Sequence, residues 1–159
     1  MRFAILAATA LASLAMALPA SALTVDAKVS PEFQKKLDDD IGAREAATLT
    51  EAVTRKVTDV FTARGIQADR VLVTIEDARP NRPTFQQASD KPGLDVMRSI
   101  SIGGAKVSGV AFDASGKEIG RLDYNWYEND LSNVIGSATW TDARTTFARF
   151  ANRFADKLS

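Results

Sequence analysis

The chain contains no cysteine and no histidine. Without cysteine there is no disulfide framework, no thiolate metal site, no thiol nucleophile and no N-terminal cysteine to carry a lipid. Without histidine the commonest general base is gone, and with it His-based triads and nearly all zinc, copper and haem sites. Any catalysis would have to rest on carboxylates, a Ser–Lys pair, Tyr or Arg. Charge of one sign is missing too: twenty basic residues balance twenty acidic ones, which gives no electrostatic footprint for nucleic acid. Neither the G-x-S-x-G elbow nor the phosphate-binding G-x-x-x-x-G-K-[ST] occurs, and the run from Gly109 to Lys117 ends in Ser-Gly-Lys, followed by Glu118, at the wrong spacing for the latter. No catalytic residue, metal ligand or cofactor is assigned on these grounds.

Long apolar runs are confined to the start. MRFAILAATALASLAMALPASA has a basic residue at Arg2, an alanine-rich apolar stretch, Pro19, and small residues at Ala20 and Ala22. This is the pattern of a secretory signal peptide, and the spacing predicts cleavage after Ala22. Residues 1–22 are therefore expected to be a leader, and residues 23–159 a single globular domain exported to the periplasm or beyond. No later stretch approaches the roughly 20 apolar residues of a membrane span. A domain of this size buries about two-thirds of its unfolded surface without staples.

The remaining chain alternates between two periodicities. Residues 23–30, LTVDAKVS, read as a short strand with Leu23, Val25 and Ala27 on one side. Ser30 as N-cap, Pro31 at the first helical position and Glu32 near the positive end predict a short helix over 31–37. The run DDD at 38–40 fails the spacing of a calcium loop. Three adjacent carboxylates repel one another, so a solvated turn between helices is expected there. Leu49, Val53, Val57 and Val60/Phe61 recur at helical spacing, predicting a long amphipathic helix over 44–64 stopped by Gly65. Residues 70–78, RVLVTIEDA, are β-branched and read as an interior strand. The stretch 79–95 carries three prolines and little periodicity and reads as a long functional or mobile loop.

Residues 99–112, SISIGGAKVSGVAF, read as one strand, and 118–127 as its hairpin partner across a turn built on Asp113 and Gly116. Flanking that turn with Asp113 and Glu118 sets Val107 opposite Tyr124, Ala105 opposite Trp126 and Gly109 opposite Leu122. Ile100 and Ile102 are out of phase with Ala105 and Val107. A one-residue bulge at Gly103-Gly104 would restore all four to the core face; the alternative is a backbone opened for a ligand. After a second irregular segment, Thr141 and Asp142 start a helix with Phe147, Phe150, Phe154 and Leu158 on one stripe. The order β-α-α-β-β-β-α predicts an α+β two-layer sandwich: a small mixed, mostly antiparallel sheet with helices on one face.

Three motifs run along this order: Pro31-Glu32-Phe33 at a helix start, the acidic pair Glu76-Asp77 ending a Val-rich strand, and Asp-x-x-Gly-Lys from Asp113 to Lys117. On these the chain resembles a group of uncharacterised bacterial envelope proteins, periplasmic or lipid-anchored. The resemblance implies an envelope location and supplies no catalytic residues. The lipid-attachment cysteine of the anchored members is missing here.

Side chains suited to ligand contact gather near the two irregular segments: Arg79 and Arg82 around Pro80, and Tyr127, Glu128 and Asp130 where the last strand ends. An aromatic and carboxylates at a loop mouth suit binding of a protein, peptide or glycan, or the acid pair of a small hydrolase acting on envelope polymer. The bland reading is strand-end polarity, with Arg79 pairing Glu128 or Asp130. Arg149, Arg153 and Lys157 make a basic stripe on the last helix, a second candidate surface for anionic envelope components.

Overall fold

A computed structural model describes residues 22–159, so the leader expected over 1–22 lies, apart from Ala22, outside the described residues. The chain runs β1 (Thr24–Val29), α1 (Pro31–Lys36), a π-helical turn (Leu37–Ile41), α2 (Glu45–Ala63), β2 (Arg70–Arg79), α3 (Phe85–Asp90), β3 (Gly104–Phe112), β4 (Glu118–Tyr127), a 3₁₀ turn (Leu131–Val134) and α4 (Thr141–Leu158). The sheet order is β1-β2-β3-β4, with β1 parallel to β2 and the other two pairs antiparallel. This is the expected α+β architecture. Two long helices cover one face of the sheet, and the opposite face carries polar residues such as Thr74, Ser108 and Asp123.

The core forms where the two periodicities meet. Leu49, Val53, Val57 and Phe61 of α2 and Phe147, Phe150 and Phe154 of α4 are buried on the inward residues of β2 and β3. Phe154 meets Phe61 edge-on at 5.5 Å between ring centroids and Phe150 at 5.6 Å. Gly109 lies beneath them: a Cβ there would stand 2.6 Å from the Phe150 ring. From Gly104 to Ala111 the β3–β4 register is the expected one, with Val107 opposite Tyr124, Ala105 opposite Trp126 and Gly109 opposite Leu122. At the turn it shifts by one, Phe112 meeting Glu118 with Ile119 as an extra residue. Asp113 closes the hairpin by accepting from the amides of Ser115 and Lys117.

Three expectations are corrected. The helical path does not stop at Asp38-Asp39-Asp40. It widens into a π turn closed by Gly42 N donating to Leu37 O at 2.6 Å, which keeps Phe33, Leu37 and Ile41 buried in one file. Carboxylate repulsion is relieved because Asp38 and Asp39 face solvent while Asp40 pairs with Lys91 and Gln87. The stretch 79–95 is not an unstructured loop, since Thr84 and Gln87 form a capping box that starts α3.

The third correction concerns the glycine pair. β3 begins at Gly104, so Ile100 and Ile102 belong to no strand, and no bulge occurs at Gly103-Gly104. The parity switch sits across the sheet in β2, where Glu76 is the extra residue between Ile75 and Asp77. Val71, Val73 and Ile75 are buried before it and Ala78 after it. Glu76 itself pairs with Lys106 at 2.6 Å, which pushes its carboxyl below the ordinary range.

The basic stripe of α4 runs alongside β4, and its three cations stay exposed. The Arg149 guanidinium lies 4.0 Å from the Trp126 ring centroid and Arg153 5.1 Å from that of Tyr124, while Lys157 donates to the Arg121 carbonyl at 2.7 Å. These contacts lay the cations along the edge strand's aromatic face.

Candidate functional site

Asn81, in the sequence Arg-Pro-Asn-Arg-Pro, is fully buried and organises the end of the sheet where β2 and β4 stop. Its backbone amide donates to Thr139 O at 2.7 Å and its carbonyl accepts from Ser101 N at 2.8 Å. Its side chain donates to Asp142 Oδ2 at 2.5 Å and accepts from the Asp142 amide at 2.9 Å. Asp142 Oδ2 also accepts from Gly103 N at 3.1 Å. One asparagine thus ties the segment after β2 to the approach to β3 and to the start of α4. Sequence reasoning missed it, because an Asn between two prolines reads as an exposed turn.

The glycine pair answers to this arrangement. A Cβ at Gly103 would stand 2.7 Å from the Asn81 amide group, and one at Gly104, where φ is 149°, would collide with the Trp126 carbonyl and Tyr127. Both glycines permit close approach, of a side chain in one case and of the neighbouring strand in the other.

Around this knot the expected site residues separate into two sets. Arg79 and Tyr127 come together: the guanidinium lies 4.8 Å from the ring centroid. The Tyr127 hydroxyl donates to Asp77 Oδ2 at 2.9 Å, and Asp77 Oδ1 accepts from Lys36 at 2.7 Å. Burial, then the Asp77 carboxylate, pushes the Tyr127 phenol well above its usual range, so it stays protonated as a donor. Arg79 is exposed and makes no ion pair among the described residues, so its N–H donors remain open to a ligand.

Arg82, Glu128 and Asp130 are occupied elsewhere. Arg82 Nε donates to Ser137 O at 2.5 Å and its terminal nitrogen to Met97 O, lacing the two irregular segments together. Glu128 accepts from the amides of Asn129 and Asp130 at 2.8 and 3.2 Å, and Asp130 from the Ser132 amide at 2.9 Å. These backbone donors hold both carboxyls below the ordinary range. A glycosidase-like acid needs the opposite shift. Neither carboxylate pairs with Arg79.

Beside Arg79 lies a groove of about 380 Å³, with Pro80, Pro83, Leu94, Ile100 and Ile102 on its apolar walls, Ile41 at its base, and Lys36, Asp40 and Arg79 on its rim. Here Ile100 and Ile102 find their half-buried places. Ser101 between them is tied back by its amide to Asn81 O and by its hydroxyl to Pro80 O at 2.6 Å. Asp40 ties α3 to this side of the groove by pairing with Lys91 and by accepting from Gln87, itself a lining residue, at 3.0 Å. The Lys91 contact comes first in pushing the Asp40 carboxyl down. No group of three or more acidic residues placed to hold a metal ion occurs among the described residues.

Fold and site together define an α+β two-layer domain with a mixed apolar and charged groove at the loop end of its sheet. No protein-family model and no curated protein sequence matches this chain. The resemblance to envelope proteins rests on the three short motifs.

Proposed function

We propose that the chain is an exported, noncatalytic envelope module that binds an extended peptide segment of a protein partner in the groove beside Arg79. The observation that carries this reading is the groove's composition: prolines and isoleucines on the walls, with an exposed arginine lacking a carboxylate partner among the described residues at the rim. Apolar pockets with a few placed polar groups suit alternate side chains of an extended peptide, and the guanidinium suits a peptide carbonyl or carboxylate. A glycan is favoured less, because sugar binding commonly uses a free aromatic face and no aromatic side chain lines this groove. Arg79 lies over the Tyr127 ring, Arg149 over that of Trp126, and the Trp140 indole N–H donates to Glu45 at 2.6 Å. Export is supported by the leader-like composition of residues 1–22.

The test is a titration of the isotope-labelled protein with extended peptides carrying alternate apolar and acidic side chains, and in parallel with soluble envelope glycan fragments. Peptide-induced shifts centred on Ile100, Ile102 and Arg79, abolished by Ile102→Asp, are expected. A response to glycans alone, or peptide shifts located elsewhere, would overturn the reading.

A further inference from the structure

β1 closes one side of the sheet, and the pairing of its backbone defines what its outer edge offers. Thr24 N donates to Asp69 O and Ser30 N to Ile75 O, both at 2.9 Å, so the even-numbered residues turn their N–H and C=O groups toward β2. The odd-numbered Val25, Ala27 and Val29 turn theirs outward, along an edge with which no other described strand pairs. The side chains alternate the other way. Val25, Ala27 and Val29 pack toward the helices, while Asp26 and Lys28 stand exposed on the open face, neither in an ion pair among the described residues.

Laid antiparallel against a copy of itself about Ala27, this strand is its own complement. Val25 meets Val29 and Ala27 meets Ala27 as hydrogen-bonded pairs, which are the positions whose N–H and C=O point outward. Asp26 then falls opposite Lys28 in the non-hydrogen-bonded pairs, where side chains come closest. Backbone phase, apolar matching and charge matching select the same register, and an isologous twofold contact requires such self-complementarity. We propose that two copies of this chain associate through β1, pairing antiparallel about Ala27 to join the two sheets into one.

Sedimentation of the protein expressed from the full chain, across a concentration series, should show a monomer–dimer equilibrium. Asp26→Lys sets lysine opposite lysine, and Lys28→Asp sets aspartate opposite aspartate. Each change lies on an exposed face and should leave the circular dichroism spectrum unchanged while weakening the dimer by about tenfold or more. Mixing the two variants restores both attractive pairs and should recover association as a heterodimer, as should the double exchange D26K/K28D within one chain. A wild-type protein monomeric throughout the series would overturn the proposal. So would a dimer indifferent to Asp26→Lys, or single variants that stay monomeric when mixed.

Discussion

Asn81 and Asp142 hold each other through two hydrogen bonds: the Asp142 amide to Asn81 Oδ1 at 2.9 Å, and Asn81 Nδ2 to Asp142 Oδ2 at 2.5 Å. Both residues are buried, at 0% and 6% exposure, so neither can exchange its partner for bulk water at little cost. Removing a partner from a buried, hydrogen-bonded carboxylate costs more than the bond contributes net. Asn81→Ala leaves the Asp142 carboxylate with the Gly103 amide alone and the Asp142 amide without its acceptor, and should destabilise the domain by about 2–4 kcal/mol. Asn81→Asp should be worse, because it sets two carboxylates together. Chemical denaturation measures both, and a midpoint unchanged in Asn81→Ala would show that the knot contributes little.

Gly104 should tolerate no side chain. Its φ of 149° disfavours L residues, and the atoms a Cβ would strike include the Trp126 carbonyl oxygen, which is backbone and cannot swing away. Gly104→Ala should therefore cost about 1–3 kcal/mol in strain and open the end of the β3–β4 ladder. Gly116, at φ 82°, is a useful control: a Cβ there meets nothing within 4 Å, so alanine adds conformational strain without collision. Equal melting temperatures for the two variants would show that close approach is not what Gly104 provides.

Phe154 carries the docking of α4 on the rest of the core. It is fully buried, meets both Phe61 and Phe150, and covers Gly109 on β3. Phe154→Ala should cost about 3–5 kcal/mol. Gly109→Ala approaches the same space from the sheet side and should cost about 1–3 kcal/mol by overpacking. Because the sites touch, their effects should not add, which a double-mutant cycle in urea would reveal.

Where an element's pattern was set by its own burial, it was legible. The stripe of α2, the β-branched run of β2 and the alternation of β4 each point to the face that the structure buries, and the turn at Asp113 sufficed to place the β3–β4 register. The failures share a physical cause, since each depended on a distant partner. Ile100 and Ile102 look like strand residues, but the path to β3 is set by Asn81, some twenty positions earlier, which holds Ser101 and leaves room only for glycine at 103. The π turn persists because Lys91 and Gln87 neutralise and bind Asp40. α3 is different, for its Thr-x-x-Gln capping signal at Thr84 and Gln87 was local and could have been read. Of the five side chains expected at the site, Arg79 and Tyr127 come together, whereas Arg82, Glu128 and Asp130 satisfy backbone groups that no periodicity announces.

The Asp40–Lys91 contact gives the groove wall an acid-labile fastening. The Lys91 ammonium holds the Asp40 carboxyl below its ordinary value of 3.8, with Gln87 adding a further hydrogen bond. A carboxyl depressed on folding binds its proton more readily in the unfolded chain. Its contribution is therefore present above the unfolded value and lost as pH falls through the lower folded one. Asp40→Asn removes the charge at every pH. Wild type should exceed the variant in stability at pH 6 by at most about 1 kcal/mol, since the pair is partly solvated. The difference should shrink below about pH 4 as the wild-type carboxylate takes up its proton. Hydrogen exchange should report the same change locally, with faster exchange in α3 of the variant at pH 6 and convergence with wild type in acid. A stability difference that persisted unchanged to pH 2 would mean that Asp40 acts through shape and hydrogen bonding alone, and that Lys91 does not fasten the wall.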